Sequence, residues 1–363
     1  MASTPSPVKL DQVTFRYSSD SPSHGVPANL DALSLEINGG EFLSLLGPSG
    51  CGKTTTLKLL AGLLTPDHGE VFIGSRRVTK VPSHQRNIGM VFQNYALFPH
   101  LTAAQNVAFP LRMKRKLDPG AMRRQVGRCL ELVGLTSASE RFPRELSGGQ
   151  QQRIGIARAI AAEPDVLLLD EPLSNLDAKL REQMSIEISD LQHRLGITVV
   201  FVTHDHGEAL SMSSRVAIMD QGRIREIGTP EQLYFHPTTY EAAAFLGDIN
   251  LIPVARIAEA SSLDDIASRT GERFMAVRPE SITISATRPE PASDCHCVLG
   301  TLEKRVFRGG SCQWFVAVPQ LKQTLVVNSR SHANNGSIRL SQNGDQVYVA
   351  WAARDAHVVS KEA

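Results

Sequence analysis

A glycine-rich loop between an apolar run and the start of a helix constrains this chain more than any other stretch. Leu43-Ser44-Leu45-Leu46 reads as a short buried strand and Thr54 to Leu60 as a helix, with Gly47-Pro48-Ser49-Gly50-Cys51-Gly52-Lys53-Thr54 joining them. Such a join delivers bare backbone N–H groups to a helix N-terminus, a place suited to anions. Gly47, Gly50 and Gly52 permit a close approach of backbone to phosphate that a Cβ obstructs. Ser49, Cys51 and Thr55 fill out the loop and its first helical turn. Lys53 is placed to reach β- and γ-phosphates, and the Thr54 hydroxyl to ligate Mg²⁺. The alternative is a plain glycine-rich turn. That spacing of Gly, Gly, Lys and Ser/Thr arises by accident in roughly one chain in a hundred of this length, and the strand and helix flanks lower the odds further.

Downstream, Asp165-Val166-Leu167-Leu168-Leu169-Asp170-Glu171 is an apolar run ending in two carboxylates, the pattern of a strand buried in a parallel sheet. Side chains alternate along an extended backbone, so Asp170 and Glu171 are expected to point apart. One carboxylate is then free to serve a metal while its neighbour faces an attacking water. Standing alone, the pair leaves a solvated strand end as the lesser alternative; beside a phosphate loop that alternative falls away.

About a hundred positions after the phosphate loop comes Leu146-Ser147-Gly148-Gly149-Gln150. With this pentapeptide the chain resembles the ATP-binding subunit of an ABC transporter over roughly residues 8 to 245. The remaining pieces stand in that family's order. Gln93, closing Gly89-Met90-Val91-Phe92-Gln93, resembles the Q-loop glutamine; Ser174-Asn175-Leu176-Asp177 resembles the D-loop; and His204, after the strand Ile197 to Val202, stands where the family has its switch histidine. Tyr17 stands where relatives carry an aromatic residue that stacks on adenine. Taken singly, each of these is an ordinary surface or packing residue, and only their joint order carries weight.

The resemblance implies an α/β P-loop ATPase with a helical subdomain, ATP and Mg²⁺ as its cofactors, and a homodimer arranged head to tail. ATP would lie between the phosphate loop of one copy and Ser147, Gly148, Gly149 and Gln150 of the other, at the start of a helix running through Gln152 to Ala162. A second helix N-terminus offers further N–H donors to the γ-phosphate, so binding closes the interface and hydrolysis opens it. In this scheme Glu171 polarises the water, Asp170 and Thr54 hold the Mg²⁺ shell, His204 contacts the γ-phosphate, Gln93 senses metal and water, and Asp177 belongs to the nucleotide interface.

Lys and Arg total 38 against 37 Asp and Glu, a formal charge of +1, so no general attraction to nucleic acid or acidic lipid is indicated. Of the five cysteines, Cys51 lies inside the phosphate loop, which fits a reducing compartment better than a disulfide framework. Cys295-His296-Cys297 lacks the two-residue gap of a zinc knuckle and reads as an ordinary strand segment. No stretch reaches the roughly eighteen apolar residues that cross a bilayer. Met1 to Pro7 has neither the basic start nor the apolar core of a secretory signal. For a transporter component, this puts the pore in other chains: integral membrane permease subunits, fed by an extracytoplasmic solute-binding protein, with this subunit peripheral at the cytoplasmic face of the inner membrane.

Val8 to Tyr17 and Leu33 to Ile37 read as strands, Ser18 to Asn29 as an exposed loop and Met122 to Val133 as a helix. Asn94 to His100 is apolar for a loop beside an active site; it reads either as core or, by the resemblance, as part of the groove that receives the permease. Arg215 to Met219 and Arg223 to Ile227 flank Asp220-Gln221-Gly222 as a hairpin. The boundary between domains is placed at 246/247. Beyond it, Phe274 to Val277, Ser281 to Ser285, Gln313 to Val318, Thr324 to Val327 and Gln346 to Trp351 are short β-like runs punctuated by Gly and Pro, favouring a small all-β barrel. Ala276-Val277-Arg278-Pro279-Glu280 resembles the start of the accessory OB-type (TOBE) domain of importer ATPases for sugars, polyamines, ferric iron and oxyanions. The tail pattern leans toward the polyamine, ferric-iron and phosphonate group. Two rivals remain: a soluble ABC ATPase acting on nucleic acid or ribosomes, which sits badly with the lack of sustained heptads and of a second cassette, and a ligand sensor centred on the barrel.

Overall fold

The computed structural model describes residues 5–17, 29–114, 118–260, 272–290, 295–331 and 342–361. Most of the loop expected from Ser18 to Asn29 therefore lies outside the described residues. The chain divides into two compact units, Met1–Pro230 and Glu231–Ala363.

At the centre of the first unit is a six-stranded sheet. Phe42–Leu46 pairs in parallel with Thr198–Thr203 and Arg215–Asp220, Val166–Asp170 lies between Thr198–Thr203 and Ile88–Val91, and Arg223–Gly228 adds an antiparallel edge. Phe42–Leu46, Val166–Asp170 and Thr198–Thr203 are buried at every position, as strands covered on both faces must be. A second, antiparallel sheet of Val8–Phe15, Leu30–Ile37, His68–Ile73 and Arg76–Arg77 shares one apolar core with the helix Lys53–Ala61. The opposite face of the parallel sheet packs on the helices Ala103–Lys114, Pro119–Leu132, Gly148–Ala161 and Ala178–Leu195. The hairpin after Arg215 turns at Gln221 and Gly222, both with positive φ (48° and 77°), which suits the twist of a two-residue hairpin turn.

These parallel strands end together, and the turns that follow them converge. The phosphate loop leaves Leu46, Glu171 leaves Asp170, and His204 leaves Thr203; the registers Leu46↔Thr203 and Asp170↔Val202 put all three at one edge. A ligand site at the carboxyl ends of parallel strands follows from that geometry.

The second unit consists of antiparallel strands wrapped around one core. Three strands (Asn250–Pro253, Glu272–Val277, Ala356–Lys361) and five (Thr283–Ser285, Gln346–Ala352, Cys295–Phe307, Ser311–Val318, Gln323–Arg330) contribute Ile252, Val277, Ile284, Leu302, Trp314, Val327 and Val349 to it. This is the expected OB-like barrel. The division falls at Pro230/Glu231, ahead of the 246/247 boundary drawn from composition. Packing explains the difference. The helix Tyr240–Phe245 puts Ala243 against Ala276 and Val359, Tyr240 packs on Phe274, and Arg278 lies over the Tyr234 ring at 4.0 Å. The segment from Glu231 to Leu246 thus finds its partners among the barrel strands.

Candidate active site

The phosphate loop is shaped by what surrounds it. A Cβ on Gly47 would stand 2.1 Å from the Met219 carbonyl oxygen, and one on Gly52, which has φ 109°, would stand 2.6 Å from a Leu30 methyl. Neither position admits a side chain. Gly52 caps the helix Lys53–Ala61, leaving its first N–H groups facing the loop. Lys53, 6% exposed, folds back so that Nζ donates to the carbonyls of Gly47 (2.7 Å) and Pro48 (2.9 Å). An ammonium so held stands inside the loop, where a phosphate's charge would replace the two carbonyls. Cys51 is buried, its Sγ 3.8 Å from Lys53 Nζ, and burial pushes its thiol up despite that cation. All five cysteines are free thiols.

Asp170, the last strand residue, and Glu171, in the turn after it, take different partners. Thr54 Oγ1 donates to Asp170 Oδ1 at 3.0 Å, pairing two hard oxygen ligands at the helix start. Burial pushes the Asp170 carboxyl above its usual range, the Thr54 hydroxyl draws it back, and the neighbouring Glu171 carboxylate adds to the rise. Glu171 itself has φ 44°, a left-handed conformation that costs a side-chain-bearing residue about 1–3 kcal/mol. Its N–H donates to the Val202 carbonyl at 3.0 Å, and this forced turn carries Oε2 to 3.3 Å from His204 Nδ1. The His204 side chain is otherwise open, at 59% exposure.

Gln93 and the D-loop are tied together. Gln93 Nε2 donates to Ser174 Oγ (3.2 Å), Asn175 Nδ2 donates to the Gln93 carbonyl (3.1 Å), and Ser174 Oγ donates to the Glu171 carbonyl (3.0 Å). The apolar stretch after Gln93 lies mostly at the surface, with Tyr95 buried, Leu97 and Phe98 half-buried and the rest exposed; Tyr95 and Ala96 have φ 56° and 46°, and Arg158 on the signature helix donates to both of their carbonyls at 2.7 Å. Tyr17 stands beside the helix start, its hydroxyl 3.4 Å from Thr55 Oγ1 and its ring edge-on to Phe15, with 47% of the residue exposed.

Ser147 caps the helix Gly148–Ala161 in a reciprocal box with Gln150: the Gln150 N–H donates to Ser147 Oγ (3.4 Å) and the Ser147 N–H to Gln150 Oε1 (3.0 Å). An open cleft of about 330 Å³ lies against Ser147, Gly149 and Gln150, with Arg141, Arg153 and Leu180 also on its walls. Gly148 and Gly149 rest on Leu176 and Leu180; a Cβ on Gly149 would come 3.1 Å from a Leu180 methyl. Asp177 caps the helix Ala178–Leu195 by accepting from Leu180 N–H at 3.0 Å. Among the described residues, no hydrogen bond or ion pair joins Ser147–Gln150 to the phosphate loop of the same chain. The structure thus gathers the phosphate loop, Asp170, Glu171, His204, Gln93 and Tyr17, and leaves the Ser147 group apart.

The ABC transporter family profile matches residues 30–174 and the TOBE domain profile residues 275–359. The spermidine/putrescine import ATP-binding protein of Acidothermus cellulolyticus is 44% identical over 95% of this chain and 91% of its own length. The chain belongs to the ABC transporter family of ATP-binding proteins. The corresponding proteins of Thermobifida fusca (38% identical, 97% of this chain and 93% of theirs) and Thermotoga maritima (37%, 91% and 93%) extend the match. A bacterial ABC transporter cassette solved as a dimer, and an ATP-binding cassette solved as a dimer bound to ADP and Pi in a post-hydrolysis state, each superpose with a TM-score of 0.55, 34% identity, and coverage of 61% of this chain and 98% of theirs. This ABC protein is therefore an ATPase that serves solute import and carries a C-terminal TOBE domain. Relatives matched nearly end to end as import proteins do not favour the nucleic-acid and ribosome alternative. Among the described residues, no helix is long and apolar enough to cross a membrane.

Sequence reasoning passed over several residues that hold the ABC site in shape. Arg158 fixes the turn after Gln93, and Arg86, 3% exposed, donates to the carbonyls of Leu59 (2.7 Å) and Leu60 (3.0 Å) at the end of the loop helix; Ser174, read only as part of the D-loop, also links Gln93 to Glu171. An arginine in a helix or loop gives no local sign of a partner sixty positions away; a buried arginine among strand-end motifs becomes visible only once the strands are aligned.

Proposed function

We propose that this chain is the ATPase of a polyamine importer and that it works as a homodimer. The names of the relatives support the solute class, and the two dimeric cassettes support the assembly. The observation that carries the dimer is that, among the described residues, Ser147–Gln150 bond with each other and line a cleft without a hydrogen bond or ion pair to the phosphate loop of the same chain. A capped helix N-terminus beside an open cleft is suited to a γ-phosphate presented by a second copy.

On this reading Gly47, Ser49, Gly50, Cys51, Gly52, Lys53, Thr54 and Thr55 wrap the phosphates, Tyr17 meets the adenine, and Asp177 lines the interface. Lys53 exchanges the Gly47 and Pro48 carbonyls for phosphate oxygens. Thr54 and Asp170, with Gln93 at the edge, fit Mg²⁺ because they offer hard oxygen donors side by side; the ion supplies charge neutralisation for the β- and γ-phosphates. Glu171 takes the proton of the attacking water, and His204, beside it, orients the γ-phosphate. The Asn94–His100 stretch is the docking groove for the permease, and the subunit sits peripherally at the cytoplasmic face of the membrane.

The test is turnover in reconstituted vesicles holding the cognate permease. Putrescine- or spermidine-loaded binding protein is expected to stimulate ATP hydrolysis, whereas ferric-iron or phosphonate carriers leave it at the basal rate. Stimulation by one of the latter alone contradicts the polyamine assignment.

A further inference from the structure

Two turns at the open end of the parallel sheet carry the chemistry: Pro172–Asp177, after Glu171, and Thr203–Asp205, which holds His204. Strand pairing stops at Asp170↔Val202, and past the Glu171 N–H to Val202 carbonyl bond the turns depend on side chains to keep their spacing. Arg181, one turn into the helix Ala178–Leu195, reaches both. Its Nη2 donates to the Leu176 carbonyl at 3.0 Å, Nη1 donates to Asp205 Oδ2 at 3.4 Å, and Nε lies 3.6 Å from Glu208 Oε1.

The acceptors are themselves fixed. Asp205 caps the following helix by accepting from the Gly207 N–H (2.7 Å) and the Glu208 N–H (3.2 Å), and its own N–H donates to Thr203 Oγ1 at 3.0 Å. Thr203 Oγ1 in turn donates to Glu208 Oε2 at 2.6 Å. Glu208 is 7% exposed, a carboxylate that needs a nearby cation if it is to stay charged. One guanidinium therefore lies within ion-pair distance of two carboxylates, Asp205 and Glu208, while gripping the backbone of the Glu171 turn.

We propose that Arg181 is a positioning residue for hydrolysis: its three-way grip on Leu176, Asp205 and Glu208 holds the Glu171 and His204 turns at the spacing that lets both side chains address one γ-phosphate. This rests on the roles given above to Glu171 and His204. The same grip steadies Leu176, against which Gly148 of the signature helix rests, so a loosened turn also blurs the surface that meets the second copy. A lysine keeps the charge but cannot reach all three acceptors with one compact ammonium.

The experiment uses the full chain with Arg181→Met, Arg181→Lys and His204→Ala, measuring kcat, KM for MgATP and melting temperature. Arg181→Met is expected to lower kcat by about 10- to 100-fold, the scale of a reacting group misplaced by an ångström, with KM within about two-fold and no matching loss of melting temperature. Arg181→Lys recovers part of kcat. An Arg181→Met protein with unchanged kcat, while His204→Ala is inactive, overturns the clamp alone. A fall in kcat that only follows a fall in folded protein overturns it as well. Wild-type turnover in His204→Ala defeats the role of His204, and the clamp with it.

Discussion

Around Gly47–Thr54 the polar side chains close on the loop itself or on residues distant in sequence: Lys53 on loop carbonyls, Thr54 on Asp170, Glu171 beside His204, Gln93 on Ser174. Around Ser147 they close only on each other, in the box with Gln150, and face an open cleft. The first region is a preorganised pocket; the second is a finished helix end awaiting a ligand. Both have their polar side chains hydrogen-bonded, so the difference lies in where the partners come from. In the proposed dimer the loop half brings the metal ligands and the acid–base pair, the signature half of the second copy brings further donors for the γ-phosphate, and one copy alone is half an enzyme.

Breaking the loop half is expected to have the largest effect. Glu171→Gln keeps the size and strained turn but loses the base, so nucleotide binding persists while turnover falls by roughly two to four orders of magnitude; single-turnover assays with labelled ATP measure it. An unchanged rate would remove Glu171 from the chemistry.

The signature half can be dissected more finely, because Ser147 both caps a helix and faces the cleft. Ser147→Asp keeps a good capping residue yet sets a carboxylate against the γ-phosphate. It is expected to abolish ATP-driven dimerisation while melting temperature and binding of a fluorescent ATP analogue stay close to wild type. Ser147→Ala instead loses the cap and about 0.5–2 kcal/mol of stability, read by urea unfolding. If Ser147→Asp dimerised normally, the two halves would not meet at this residue.

A pH effect separates the halves again. A metal-binding carboxylate must be deprotonated, and burial holds Asp170 above its ordinary value of 3.8. Protons therefore compete with Mg²⁺ at a higher pH than for an exposed aspartate, and the Mg²⁺ concentration needed for half-maximal hydrolysis is expected to rise on acidification toward that raised value. Ser147 variants should leave this dependence untouched, whereas Asp170→Asn removes it along with most metal-dependent activity. The smallest effect belongs to Gln93→Ala, whose lost hydrogen bond to Ser174 lies at the exposed margin. Its unfolding free energy should stay within about 0.5 kcal/mol of wild type.

How far the sequence foretold this depends on the range over which each feature is encoded. The phosphate loop, the Asp170–Glu171 strand end and the Ser147 cap are local patterns; their strands and helices begin and end within a residue or two of expectation, the signature helix included, which opens at Gly148 behind the Ser147 cap. The joining residues were not legible. Arg181, Arg158 and Arg86 act on carbonyls and carboxylates that are neighbours only after the sheet forms.

In the barrel, only the first three residues of the thirteen-residue strand Cys295–Phe307 were read as strand, although it is the longest there among the described residues. Its pattern is broken by the bulge between Leu302 and Lys304 and by the charged Glu303-Lys304-Arg305 run, so neither alternation nor an apolar stretch marks it. Cys295-His296-Cys297, read as a strand segment, are its first three residues, and the His296 ring stacks on Trp351 with centroids 5.6 Å apart.

Sedimentation equilibrium of the Glu171→Gln chain, with and without MgATP, tests the two-half account most directly. Dimers are expected with MgATP, and monomers with ADP or without nucleotide. A chain that stays monomeric at saturating MgATP, or one that dimerises equally well with no nucleotide, contradicts it.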